Sequence, residues 1–318
     1  MKKLVPILLS LALLAGCSAL PRGREMEELE LLLAAAVDPS PEGVEVTAVS
    51  GVRASDAAKP KTYSAQGENL TAACQNVREK GGAWLYFGQL ERLLLGEDQV
   101  KTDLMGPLNY VLSDPESRLD TLLYIVEGDA GAGLSASARD GEPVRTREED
   151  AVTVGQVLSA LEEDGAALVP ALSPGEGGAL EKAGYAIVTP AGPAGRLTGD
   201  AAWGAELLRG RGLDRVVGDL RVEGVQVTAE PAGTGVSVTC AVTANVAQGR
   251  WPADGGAGLA EEVERCVALA LAPGVDCFGL RRRAALGEPW RWDELQEISP
   301  ENMDVTVSVR PVRTEDQR

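Results

Sequence analysis

Cys17 is the residue whose neighbours specify a reaction most narrowly. It ends the run Leu14-Ala15-Gly16-Cys17, in which small residues lead up to a thiol. Met1-Lys2-Lys3 supplies a positive start, and residues 4–15 (LVPILLSLALLA) an apolar stretch of signal-peptide length. A dozen apolar residues cannot cross about 30 Å of hydrocarbon as a helix. The pattern therefore predicts a lipobox, with residues 1–16 removed as a signal peptide and the Cys17 thiol carrying a diacylglyceryl group. Two acyl chains hold a protein on a membrane where one gives only marginal binding. Residues 17–24 then form a short lipidated leash, and the covalent lipid is the only cofactor the sequence asks for.

The other reactive side chains point to little chemistry. The chain has no histidine, which removes Ser-His-Asp and Cys-His activation, histidine zinc sites and a histidine pH switch. Cys74, Cys240, Cys266 and Cys277 include no CxxC, and the spacing of the last three fits no zinc ribbon, so no metal site is expected. One disulfide among those three suits an exported protein. Equally, Cys240 inside a strand alternation and Cys266 on an apolar helix face suit small buried side chains. The carboxylate runs at 148–150 and 162–164 read as solvated faces rather than a general acid and base. Gly175, Gly177 and Gly178 approach a dinucleotide fingerprint, but Leu180 stands where its last glycine belongs, and no nucleophile elbow or Walker loop occurs. No catalytic residue is assigned and no enzyme activity is expected.

Thirty Lys and Arg against 48 Asp and Glu give a net charge of −18. Such a surface repels phosphate, so nucleic acid is not an expected partner. Arg281-Arg282-Arg283 is the one basic cluster and reads as an exposed helix or turn end. Of 318 residues, removal of the first 16 leaves 302, enough for two or three compact domains.

Three blocks carry the expected elements. In the first, 25–140, residues 44–49 alternate like a strand, 69–80 read as a helix started at Asn69, and 84–95 as one long strand closed by Gly96. A short helix at 103–112 and a buried strand at 122–126 follow. The charged stretch 139–150 reads as a linker. The small middle block, 150–212, has a helix at 152–161 and a hairpin from 184–189 and 195–199. In the last block, 213–318, Leu220 and Val222 change face to Val225 and Val227 across Gly224, which suggests a bulge. Val236, Val238, Cys240 and Val242 alternate, as do Val305, Val307 and Val309. Between them Leu259, Val263, Cys266, Val267, Ala270 and Leu271 make one stripe at helical spacing. The fold class predicted is α+β or mixed α/β: three small domains of mixed sheets with packed helices.

A wider pattern runs through these blocks. It comprises Gly16-Cys17, residues 24–29 (REMEEL) and 34–38 (AAAVD), then 63–73 (YSAQGENLTAA), 85–89 (LYFGQ) and 95–97 (LGE). It continues in 113–118 (SDPESR), 126–128 (VEG), 183–188 (AGYAIV), 195–197 (GRL), 276–279 (DCFG) and 289–290 (PW). In order and spacing this resembles the C subunit of bacterial spore germinant receptors, the Ger(x)C family of spore germination lipoproteins. Two positions depart from it: Ser18-Ala19 stands where the family often has Trp-Asp, and Gln89 where it often has histidine. The resemblance implies a non-enzymatic, lipid-anchored subunit on the outer surface of the spore inner membrane. It also implies two membrane-spanning partners, the A and B subunits, and a role in nutrient-triggered germination.

The densest matches without an evident chemical reason are 84–95 and 113–118. Trp84, Tyr86, Gln89, Asp114 and Arg118 are accordingly the candidate partner face, with core packing the simpler expectation for Trp84, Tyr86 and Phe87. A second reading is the lipoprotein substrate-binding component of a transporter. The alternating C-terminal strands speak against it, because they suit an antiparallel sheet with one open face better than the doubly covered parallel sheets of such proteins.

Overall fold

The computed structural model describes residues 29–51, 60–80, 84–139 and 151–312. Cys17, the leader, the leash and all but the first residue of the 139–150 linker lie outside the described residues. Within them the chain is mixed α/β, with two mixed sheets and nine α-helices.

The first sheet begins as an antiparallel meander of β1 (Leu29–Ser40), β2 (Gly43–Ser50) and β3 (Thr62–Gly67). On its other side β1 pairs in parallel with β4 (Trp84–Tyr86) and β5 (Arg92–Gly96). The sheet then runs through β6 (Leu122–Val126), β7 (Ala167–Pro174), β8 (Leu180–Thr189) and β9 (Gly192–Leu197). β5 and β6 are nearly continuous apolar runs because both of their faces are covered. Leu93, Leu95, Leu123 and Ile125 enter one core, whereas Leu94, Tyr124 and Val126 enter the other. Helices α1 (Leu70–Lys80), α2 (Glu97–Asp103), α3 (Met105–Ser113) and α5 (Val154–Glu163) contribute to the first of these cores. Helix α4 (Ala130–Arg139) covers the opposite face through Ala130, Leu134 and Ala138. The 69–80 helix starts as expected, with Asn69 Oδ1 accepting from the Ala72 N–H at 3.0 Å.

Two expectations change here. The strand expected over 84–95 is two strands, β4 and β5, both laid along β1. The register explains the break: residues 32–33 of β1 face the five residues 87–91, and the excess turns out through a Leu90 N–H bond to the Phe87 carbonyl at 2.9 Å. In addition, strands of the first and middle blocks share one sheet, joined at the pairing of β6 with β7, a strand whose apolar run at 167–172 went unassigned in the sequence.

The second sheet has the order β10 (Val216–Val217), β11 (Leu220–Ala232), β12 (Gly235–Val246), β13 (Asp304–Pro311). The β11–β12 pairing shifts register between Val222 and Gly224, at the expected bulge. All six residues of the predicted stripe on α7 (Ala257–Leu271) are buried. β12 and β13 are parallel, which corrects the expectation of an antiparallel C-terminal sheet. The reason is the long crossover between them, which carries α7, α8 (Leu280–Gly287) and α9 (Trp292–Gln296) and returns the chain in the same direction. Cys74, Cys240, Cys266 and Cys277 are free thiols, so the disulfide considered for the last three is not formed. Burial pushes the Cys240 and Cys266 thiols up to about 11, far from the thiolate form.

Helix α6 (Gly199–Leu208) lies between the two sheets. Ala202, Trp203, Ala205, Leu207 and Leu208 share a core with Tyr185 and Ile187 of the first sheet and with Val238 and Cys240 of the second. Gly204 sets its distance from α7, because a Cβ there would stand 1.9 Å from the Cys266 carbonyl oxygen. A methyl group cannot enter without moving backbone. Gly204→Ala is expected to destabilise the fold by about 1–3 kcal/mol, measured as a lower urea midpoint with an unchanged slope.

Candidate functional site

The predicted partner face maps to one corner of the first sheet, where α1, α3 and β4 meet. α1 turns Ala73, Cys74 and Val77 inward, leaving Thr71, Gln75 and Arg78 beside β4. α3 brings Tyr110 and ends at Asp114, whose backbone N–H closes on the Tyr110 carbonyl. These elements enclose an open cavity of about 560 Å³ lined by Arg78, Trp84, Tyr110 and Asp114 among others. Trp84 is 38% exposed, so the core-packing expectation fails for it, while Phe87 is buried as expected. Tyr86 is half-buried, and Gly88 makes room for its ring, since a Cβ at Gly88 would lie 2.3 Å from it.

Arg78 organises this corner. Its guanidinium sits 5.9 Å from the Trp84 ring centre and 5.4 Å from that of Phe87, and donates to Glu116 at 2.7 Å. Asp114 accepts from the Ser117 hydroxyl at 2.8 Å. Burial pushes the Tyr110 hydroxyl well above its ordinary value, and burial also lifts Cys74, which shares a hydrogen bond with Tyr110, to about 11. Both groups stay protonated near neutrality. The cavity thus offers an aromatic wall, a paired cation and carboxylates at the rim, which is contact chemistry. Of the five predicted residues the structure brings Trp84 and Asp114 to this cavity. Tyr86, Gln89 and Arg118 do not line it: Gln89 is exposed on the turn after β4, and Arg118 is exposed and bound to Asp120 at 2.9 Å.

Other polar clusters serve the fold. Asp200, Glu262 and Cys266 bring their ligand-type atoms within 4.8 Å of one another. Arg265 reaches both carboxylates at 2.7 Å and Arg215 reaches Asp200 at 2.9 Å, so guanidinium groups take the place of a cation. The basic cluster is not a free turn end either. Arg281 binds Asp276 and the Gln296 carbonyl, and Arg282 forks onto Asp164 at 2.9 and 3.2 Å, which also draws the 162–164 run out of its purely solvated role.

Several motif residues do structural work. Asp276 is buried and accepts from the backbone N–H groups of Phe278, Leu280 and Arg281, capping α8. Asp38, at the end of β1, accepts from Ala130 at 2.9 Å and Gly131 at 2.8 Å and so caps α4. Gly96 gives it space, since a Cβ there would lie 2.1 Å from Asp38 Oδ1. Partners 92 residues apart in sequence leave no local signal.

Residues 22–174 match the family model described as the spore germination protein N-terminal domain. Along more of its length, the chain has the fold of a solved structure titled "Crystal Structure of the GerBC protein". The TM-score is 0.56 at 13% identity, covering 88% of this chain and 97% of that one. No curated protein matches the chain.

Asp38 generates a pH test. Burial, outweighing the two backbone N–H donors, raises its carboxyl from 3.8 to about 6. A raised carboxyl favours the folded state where it is protonated, so this contribution is lost as pH rises from about 4 through 6. Asp38→Asn removes the titration. The urea stability of wild type relative to Asp38→Asn is expected to increase as pH is lowered from about 7.5 to about 4.5; a difference that stays flat contradicts the assignment.

Proposed function

We propose that this chain is the lipid-anchored C subunit of a spore germinant receptor. The match of residues 22–174 to a spore germination protein domain carries the reading. The Leu-Ala-Gly-Cys sequence ahead of that domain supports its anchored form. The lipid on Cys17 confines the folded part to the outer surface of the spore inner membrane and raises its effective concentration for the membrane-spanning A and B subunits. Modest docking faces then suffice.

The subunit acts by assembly and catalyses no reaction. Its docking face is the corner around Trp84 and Asp114, with Tyr86, Gln89 and Arg118 as candidate contacts outside the cavity. A half-exposed tryptophan next to a rim of charge is the composition of a protein contact with an aromatic centre. Of the proposed blocks, 25–140 and 150–212 share the first sheet, and 213–318 holds the second.

Spores carrying Cys17→Ala test the anchored reading. The expected outcome is loss of the protein from the inner-membrane fraction together with loss of the response to nutrient germinants. Normal germination with the protein released would overturn it.

A further inference from the structure

The C-terminal body presents a second feature, at the junction of α8 and α9. Leu286, at 75% exposure, and Trp290, at 78%, are the most exposed large apolar side chains among the described residues. Pro289 and Trp292 extend the same exposed turn. The turn is held in place rather than loose: Arg291 binds Glu288 at 3.0 Å, Glu294 at 2.8 Å and the Gly233 carbonyl of the β11–β12 turn at 2.6 Å. Those bonds compensate Glu288 and Glu294, while Asp293 stays exposed beside Trp292. Arg283 stands one helical turn before Leu286 on the same face of α8. It is exposed, and no carboxylate among the described residues pairs with it, unlike Arg281 and Arg282.

The corner is smaller than an interface between two untethered proteins. A stable protein interface needs about 800 Å² from each side, and one tryptophan and one leucine with a few neighbours fall well below that. The composition suits a bilayer surface instead. An indole sits at headgroup level, an aliphatic side chain reaches just beneath it, and a guanidinium meets lipid phosphate. Such contact is weak alone but sufficient for a chain already held at the membrane.

We propose that Leu286 and Trp290, with Arg283, insert into the headgroup region of a phospholipid bilayer and form a second contact that orients the tethered chain. This rests on the anchored reading. The whole chain carries a net charge of −18, which anionic lipid repels, and this favours contact through a corner where an unpaired arginine stands beside apolar side chains.

The test keeps the anchor and the corner separate. The chain from residue 17 onward, carrying Cys17→Ala, is held by an amino-terminal oligohistidine tag on vesicles of phosphatidylcholine and phosphatidylglycerol with nickel-chelating lipid. Some of the acyl chains are brominated near the headgroup. With five tryptophans in the chain, contact by Trp290 is expected to quench about one-fifth of the emission. That quench should vanish in Trp290→Phe and shrink in Leu286→Ala, with circular dichroism unchanged. Vesicle-bound protein that shows no quench, or a quench that persists in Trp290→Phe, overturns the proposal. Failure of the anchor alone appears in fractionation of Cys17→Ala spores and leaves this result standing.

Discussion

The structure depends on one close approach, that of Gly204 on α6 to the backbone of Cys266 on α7. α6 follows the last strand of the first sheet and is buried on most sides, because it serves as the shared layer between two sheets. Without a side chain at 204 the two helices meet backbone to backbone, and the flanking polar groups fall into place. The Trp203 indole donates to the Gly212 carbonyl at 3.0 Å and lies under the Arg215 guanidinium. Arg215 and Arg265 then gather Asp200 and Glu262 along the seam. Away from the seam, Arg282 of α8 reaches Asp164 beyond α5, a second strut between the bodies.

The buried Cys240 and Cys266 thiols are raised well above neutrality, far from the nucleophilic thiolate form. Among the described residues Arg78, Arg196, Arg215, Arg265 and Arg282 pair with carboxylates of other segments. Among the described residues, two places set exposed tryptophan beside charge: the corner of α1, α3 and β4, with Trp84, and the turn between α8 and α9, with Trp290.

Local periodicity carried most of what the sequence revealed. The α7 stripe, the β12 alternation, the bulge beside Gly224 and the Asn69 cap depend on neighbours within a few residues, and each appears where its spacing places it. The losses have a common physical cause. The division of 84–95 into β4 and β5 is dictated by β1, a strand more than 50 residues earlier. The parallel direction of β13 depends on the length of the crossover, and the capping duties of Asp38 depend on a helix 92 residues away. The candidate face was half legible for the same reason. Trp84 and Asp114 share a cavity because α1, α3 and β4 converge there, whereas Gln89 and Arg118 follow the same motifs in sequence and fall outside it.

The claim that most needs testing is that the Trp84–Asp114 corner is covered in the assembled receptor. Hydrogen exchange of this chain, alone and in receptor purified with its membrane-spanning subunits, addresses it directly. The account predicts slower exchange on assembly in peptides covering 70–80 and 105–118, with little change along β11 and β12. Unchanged exchange at 70–80 and 105–118, with protection confined to the C-terminal body, would contradict it.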